Sequence, residues 1–367
     1  MAQHNDPIPF LTQIPDWRDP SRITYDWKSL WTLMLLGLLT APGNILALSQ
    51  WLTHQRQELC QLLPLPGIPA QATIYRFFWQ LERHQDALQD ALLSWVAAVH
   101  PQVDSEALIH LAADGKVLRG STRPGERALS FLSLFLHALT LTVVQVPLGE
   151  RHEARVLSEL LPILQRLFGQ HWSLTLDAAY TESALTAEIV AHGGQFFVPL
   201  KNNTPELKEW AREAFRFESD SVYQDDERRA GQSWHRRAAV QTQLPDAILR
   251  AFPAAQTLIR REHVISKRDG TSVREVRYAV SSRLLTARDA EQVWREHWGI
   301  ENRSHARRDI LFKEDACWTR KAAQSLSTLH GLIIALLAPH GSAMTALVRR
   351  LRLSPHDCWQ LLRFGLA

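Results

Sequence analysis

The sequence predicts an α/β fold preceded by a helical segment, interrupted by a β-rich insertion and closed by a helical end. Three observations predict it. Short apolar runs rich in β-branched and aromatic residues, among them ALIHLAADG (107–115), LSFLSLFLHALTLTVVQVPL (129–148), SLTLDA (173–178) and QFFVPLK (195–201), read as strands. Runs of helical period separate the later strands, which is the pattern of a mixed sheet with helices packed on it. Residues 1–100 and 289–367 carry helical period alone.

Composition sets the outer bounds. With 367 residues, 46% of them hydrophobic and 22% charged, the chain can build two or three packed units. The 41 basic and 38 acidic side chains nearly cancel, so any DNA-binding surface must come from local asymmetry. Cys60, Cys317 and Cys358 are far apart and lack zinc-finger spacing. That odd count, with no basic and apolar leader in MAQHNDPIPF, predicts a protein of the reducing cytosol. The apolar run Leu30 to Leu48 is broken by Pro42-Gly43, and the run Gly331 to Ala338 is shorter, so no membrane span is expected.

In the first hundred residues, Trp31, Leu35, Leu38 and Leu39 recur at helical spacing. Pro42-Gly43 turns the chain, and Leu46, Trp51 and Leu52 resume the pattern. A second break, PLPG (64–67), precedes IPAQATIYRFFWQL (68–81), with Thr73, Tyr75 and Arg76 near the front of that helix. A turn followed by a helix with polar residues at its start fits a helix-turn-helix, and it equally fits two packed helices of a bundle. The six basic and eight acidic residues of this stretch argue against a broad electrostatic footprint.

The first strand is expected to end at Asp114-Gly115, and residues 129–148 to form two antiparallel strands. Helical period follows over 153–168, where Pro162 should kink or shorten the helix. SLTLDA is a strand, TESALTAEIVAHGG a helix closed by glycines, and QFFVPLK another strand. Residues 202–288 read as an insertion, with a charged helix (PELKEWAREAF) and strands near 234–242, 256–267 and 273–281. The domain division is therefore 1–104, 105–201, 202–288 and 289–367.

Two apolar strands that each end in an aspartate, Asp114 and Asp177, are informative together. Ligands of open α/β sheets collect at strand ends, and a buried carboxylate needs a partner such as a divalent cation. A strand-end aspartate also caps turns and helices, which is the competing use. In the last segment Trp294, His297, Glu301, His305 and Arg308 are spaced to share one helix face. Such a stripe suits a solvated surface; with Trp294 in it, it also suits a half-buried acid flanked by basic groups.

AADGKVLRGS (112–121), LTLDAAYT (174–181), FVPLKNNTPEL (197–207) and HWGIENRSHARRDILFKED (297–315) resemble the DDE transposases of bacterial insertion sequences, in particular the H-repeat-associated group. IPDWRD (14–19) and IPAQATIYR (68–76) resemble that group's accessory domain. The resemblance implies an RNase H-like catalytic core with Asp114, Asp177 and Glu301 as its three acids. It implies two Mg²⁺ ions, with Mn²⁺ as a substitute, and cleavage followed by strand transfer. The implied partners are double-stranded DNA with terminal inverted repeats and target DNA, met by a homodimer assembled on the DNA. A DNA binder that no longer cuts, and an RNase H-fold nuclease without strand transfer, are the alternatives.

Related transposases carry a Tyr, an Arg and a Lys at fixed spacings around the Glu, where this chain has Trp294, His297 and Arg308. Ala306 stands where an aromatic is usual. Lys116, Arg119, Lys201, His297 and Arg308 are the expected phosphate contacts, and Arg76 the expected contact of the accessory helix.

Overall fold

The computed structural model describes residues 6–99, 108–181, 183–229, 232–316 and 320–365. The chain forms two compact units. One comprises Met1–Asp104, Gly115–Gly149 and Glu301–Ala367; the other comprises Ser105–Asp114 and Glu150–Ile300.

Nine strands are present among the described residues: β1 (Ile109–Leu118), β2 (Leu129–Leu136), β3 (Leu141–Pro147), β4 (Trp172–Thr175), β5 (Gly194–Leu200), β6 (Ser221–Arg229), β7 (Gln232–Gln241), β8 (Thr257–Ser266) and β9 (Ser272–Ser281). Their order is β3-β2-β1-β4-β5-β9-β8-β7-β6. β2 and β3 form an antiparallel hairpin, whereas β1, β4 and β5 run parallel. The order β3-β2-β1-β4-β5, with that hairpin on a parallel trio, is the RNase H-like core.

Two sequence expectations need correction, and two features of the sheet were not foreseen. β1 does not end at Asp114-Gly115 but continues to Leu118, because Gly115 stays out of the left-handed region and Lys116 and Leu118 keep facing inward. Pro162 does not shorten its helix, which runs Glu153–Phe168; its ring faces solvent while Leu157, Leu161 and Leu164 form the buried stripe. β6 was not expected: SVYQDDERR has no apolar alternation, and it forms the sheet edge, where charge discourages further pairing. Its acids meet β7 across the ladder, Arg236 bonding Asp225 (3.2 Å) and Glu227 (2.7 Å). The strands of the insertion extend the core sheet, because β9 pairs antiparallel with β5.

In the second unit the helix Ala287–His297 covers this extended sheet, burying Val293 and Trp294 with Phe197, Ala238, Ile259 and Ala279. In the first unit the helices of the N-terminal segment share a core with those of the C-terminal end. Glu82 accepts from the Gln324 and Ser325 amides (3.1 and 2.8 Å) and so caps the buried helix Ala323–Leu337. Trp51 Nε1 donates to the Arg352 carbonyl (2.8 Å), and Arg352 Nε to that of Thr40 (2.8 Å). No single helix among the described residues is long and apolar enough to cross a membrane. The bent pair Ala323–Gly341 and Met344–Leu351 passes on length and composition only, and its first helix is a core helix.

Gly194 pairs with Trp172 across β5 and β4, and a Cβ there would overlap the buried indole. Gly194→Ala is therefore expected to lower unfolding free energy by about 2 kcal/mol, the cost of overpacking. Gly43→Ala, where a Cβ meets nothing within 4 Å, is the control and should stay near wild type. Urea titration of both variants checks this.

Candidate active site

The site starts from a register. β1 and β4 pair in parallel from Ile109↔Trp172 to Ala112↔Thr175. Asp114 and Asp177 each lie two residues beyond that last pair, at the same ends of neighbouring strands. Period-two alternation then gives Asp114 the face of Ala112, and Asp177, in extended conformation, the face of Thr175. Both carboxylates are partly buried.

Asp177 has two structural partners. It caps the short turn Ala178–Tyr180 by accepting from the Ala178 amide (2.7 Å), and its Oδ1 accepts from Lys201 Nζ (2.5 Å). The capping use open to a strand-end aspartate is thus present. Burial would raise its pKa, but the Lys201 and Ala178 hydrogen bonds and the Lys201 charge hold it below the ordinary value. The Lys201–Asp177 pair is about half exposed, so it is worth only ~0–1 kcal/mol and yields readily to a stronger cation.

Thr175 joins the site to the helix Ala287–His297, since its hydroxyl meets His297 Nδ1 at 3.1 Å. Burial pushes the His297 pKa down to about 4; the nearby Asp177 opposes the shift and Lys201 adds to it. His297 is therefore neutral at pH 7, so of the polar and cationic roles open to it the polar one remains. Trp294 packs edge-on to Phe197 with ring centroids 5.4 Å apart, under the Arg261 guanidinium. It fills core volume in the second unit.

Two groups that the sequence did not single out also belong here. The hydroxyl of Tyr180, a fully buried residue three positions after Asp177, interacts with the Glu153, Asp114 and Asp177 carboxylates. Asn203 donates to the Ala178 carbonyl (2.6 Å) and the Thr181 hydroxyl (2.7 Å), fixing the turn after Asp177. Asn203 lies within the FVPLKNNTPEL string, whereas an acid at a helix start, as Glu153 is, carries no distinguishing signal in the sequence.

The remaining expected residues lie in the first unit. Glu301 is the second residue of a π-helical turn, Ile300–His305, and is exposed. The single stripe of Trp294, His297, Glu301, His305 and Arg308 is thereby corrected: a π turn breaks the 100° phase, and Glu301 faces solvent while Trp294, His305 and Arg308 are buried. Arg308 is fully buried and donates to the Ser327 hydroxyl (2.9 Å) beside Glu314. Lys116 is buried too, bonded to Asp309 (2.9 Å) and facing Asp315 and Glu314 at 3.4 and 3.8 Å. Both have protein partners in place of the phosphate role expected of them. Arg119 is largely exposed. Arg76 is exposed and lies back on its own helix, Gln71–Leu81, reaching the Ala72 carbonyl and the Thr73 hydroxyl.

Residues 109–338 match the family described as Transposase DDE domain, and residues 8–96 match DDE_Tnp_1-associated. The chain belongs to the transposase DDE domain family. YbfL and the H repeat-associated YhhI of Escherichia coli, the latter named as a candidate transposase, are each 24% identical over 95% of this chain and 94% of their own. YncI, from a second strain of that species, is 22% identical over 90% of this chain and 86% of its own. A piggyBac transposase synaptic complex with hairpin DNA superposes with a TM-score of 0.43 at 10% identity, covering 98% of this chain and 82% of that one. This DDE transposase is similar to the H repeat-associated protein over nearly its whole length.

Glu314 anchors the buried charges of the first unit, accepting from His330 Nδ1 (2.8 Å) and facing Arg308 at 3.7 Å. Burial would raise its pKa, but Arg308, His330 and Lys116 outweigh burial and hold it down at about 2. A depressed carboxylate contributes stability above its unfolded pKa and loses it as pH falls through the folded one. Wild type should therefore lose this contribution between about pH 4.5 and pH 2. At pH 7, Glu314→Gln leaves Arg308 and Lys116 under-compensated, an expected cost of ~3–5 kcal/mol. Denaturant midpoints from pH 7 to pH 2 check both points, and the variant should lack the acid-side slope.

Proposed function

We propose that this transposase cuts DNA at element ends and joins the freed 3′ ends to target DNA, with Asp114, Asp177 and Glu301 as its acids. The observation that carries the reading is the level placement of Asp114 and Asp177 at the ends of two parallel strands. Their oxygens are the hard donors that Mg²⁺ takes, and the Lys201 ammonium already provides a positive charge against Asp177. Among the described residues no three acids, histidines or cysteines stand close enough together to hold an ion. Glu301 is proposed as the third ligand on the family resemblance.

Bound there, a pair of Mg²⁺ ions, or Mn²⁺ in their place, would activate the attacking oxygen and stabilise the leaving 3′ oxygen. The remaining work falls to the chain. His297, neutral and held by Thr175, keeps an uncharged polar edge beside Asp177. Lys201 and Arg119 are the exposed cations suited to phosphate. In the first reaction water attacks the phosphodiester and the 3′ oxygen leaves; in the second that 3′-OH attacks target DNA and displaces another 3′ oxygen. The proposed partners are double-stranded DNA with terminal inverted repeats and target DNA, met by a homodimer formed on the DNA.

Asp114→Asn, Asp177→Asn and Glu301→Gln should each retain DNA binding and lose Mg²⁺-dependent cleavage of an end-containing duplex. Both activities are compared at one salt concentration, because phosphate contacts are strongly salt-dependent. Binding without cleavage in the wild-type protein would favour a DNA binder, and cleavage without joining would favour a nuclease.

The helix Gln71–Leu81 buries Ile74, Phe77 and Phe78 and exposes Tyr75, Arg76 and Trp79, the last with Lys321 Nζ 4.3 Å from its ring. We propose that this exposed face reads the element end. Arg76→Ala should weaken affinity for the end sequence more than for unrelated DNA, measured by competition binding. An equal loss on both would reduce Arg76 to a phosphate contact.

A further inference from the structure

The connection from β1 to β2 reads RGSTRPGERA (119–128), with three arginines and a single acid. Loops of this composition are ordinarily solvated and loosely held. This one is tightly built. Arg123-Pro124-Gly125-Glu126 closes a β-turn: the Glu126 amide donates to the Arg123 carbonyl (3.0 Å), and Gly125 takes φ 78°, the left-handed value required at that turn position. Ser121 is fully buried; its hydroxyl donates to the Leu118 carbonyl (2.6 Å) and accepts from the Leu129 amide (2.7 Å), tying the two ends of the loop together. Leu118, Phe131 and Ala323 form a small apolar core there, with Leu129 packed against it. Arg320 completes the clamp. Its guanidinium donates to the Ser121 and Arg127 carbonyls and pairs with Glu126 (3.1 Å).

The clamp occupies the loop's one acid and leaves cations on the surface. Arg119 is exposed, and its ion-pair partner among the described residues, Asp315, is a long 3.9 Å away. Arg127 and Lys321 are exposed, and neither has a carboxylate partner among the described residues. Lys321 follows Arg320 in the chain, and its ammonium lies 4.3 Å over the Trp79 ring of the helix Gln71–Leu81. Loop, Arg320-Lys321 and helix are therefore joined by direct contacts within the first unit. We propose that Arg119, Arg127 and Lys321 form a binding surface for the phosphate backbone of duplex DNA, continuing the exposed face of that helix. A guanidinium matches phosphate oxygens in a bidentate fork, and a loop already held in place loses little entropy on binding. This inference rests on the reading of the chain as acting on duplex DNA. It adds sequence-independent contacts made by a loop, distinct from the end-reading proposed for Arg76.

The test is the salt dependence of binding to a mixed-sequence DNA duplex, measured by fluorescence anisotropy on the full chain without divalent cations. Each phosphate contact contributes about 0.9 to the slope of log K against log salt. Arg119→Gln, Arg127→Gln and Lys321→Gln should each reduce that slope by about 0.9, and the triple variant by about 2.7. Arg349→Gln removes an exposed cation elsewhere in the same unit, on the helix Met344–Leu351, and should leave the slope at its wild-type value. All four side chains are exposed, so the melting temperatures should match wild type and the slopes report on binding alone.

A wild-type slope in the folded triple variant would overturn the inference. So would a loss in Arg349→Gln as large as in the loop variants, because net charge alone would then explain both. If cleavage depends on Asp114 while the slope ignores the loop, this inference fails and the cleavage reading stands. If the slope falls as expected and wild type never cuts DNA, the cleavage reading fails and this one stands.

Discussion

The parallel pairing of β1 with β4 is the constraint on which the rest of the site depends. β4 is only four residues long, and a one-residue slip would turn Asp114 and Asp177 to opposite faces. A ladder this short needs help, and side chains provide it. Thr175 donates to the Leu111 carbonyl (3.2 Å), and the Ser173 hydroxyl meets His110 Nδ1 (2.9 Å), so each strand grips the other beside its backbone bonds. At the other end of β4, Trp172 fills the space that Gly194 leaves open on β5. These contacts fix the register before any cation arrives. The like charges at the strand ends are thus held together by neutral packing, with Lys201 offsetting part of their repulsion.

β1 has a second role beyond Asp114. Two residues further on, the same strand delivers Lys116 into the buried charges of the first unit. There, Asp309, Asp315 and Glu314 face Lys116, and Glu314 also faces Arg308 and His330. Desolvating so many charges is costly, and such clusters confer specific geometry more than net stability. One end of the strand is thereby tied to the helical C-terminal segment, while the preceding residues set the acid register. The division also explains why Lys116 and Arg308 make poor phosphate ligands: removing either from this cluster would strand a buried carboxylate.

The core strands were legible because their apolar runs are short, β-branched and bounded by turns. The two aspartates were legible because each follows such a run. The sequence was silent on β6, whose residues gain their reason only from the arginines of β7 across the ladder. Local patterning also missed the course of β1 past Gly115, since Asp-Gly is a turn signal unless neighbouring strands hold it extended. Burial decided the fate of the cations. A Lys or Arg in a charged string looks exposed, and nothing local to Arg308 shows that Gln145, Ser327 and Glu314 will enclose it. Glu153 and Tyr180 are distant in sequence, so their encounter is legible only in three dimensions.

The same reasoning accounts for the π turn at Glu301. Upstream, Trp294 is locked against Phe197, which fixes the face of the helix Ala287–His297. Downstream, Arg308 is locked to Ser327, which fixes the face of the helix Ala306–Phe312. Two helical faces set by separate cores need not share one phase, and an i→i+5 turn absorbs the mismatch by inserting a residue. Within that turn Ser304 is held by the Thr142 hydroxyl (3.0 Å) and is buried, whereas Glu301 is exposed. The proposed third acid thus stands on the element that neither core dictates. π turns are rare and are often found at functional sites, which is the structural argument for giving an exposed acid on this turn a role.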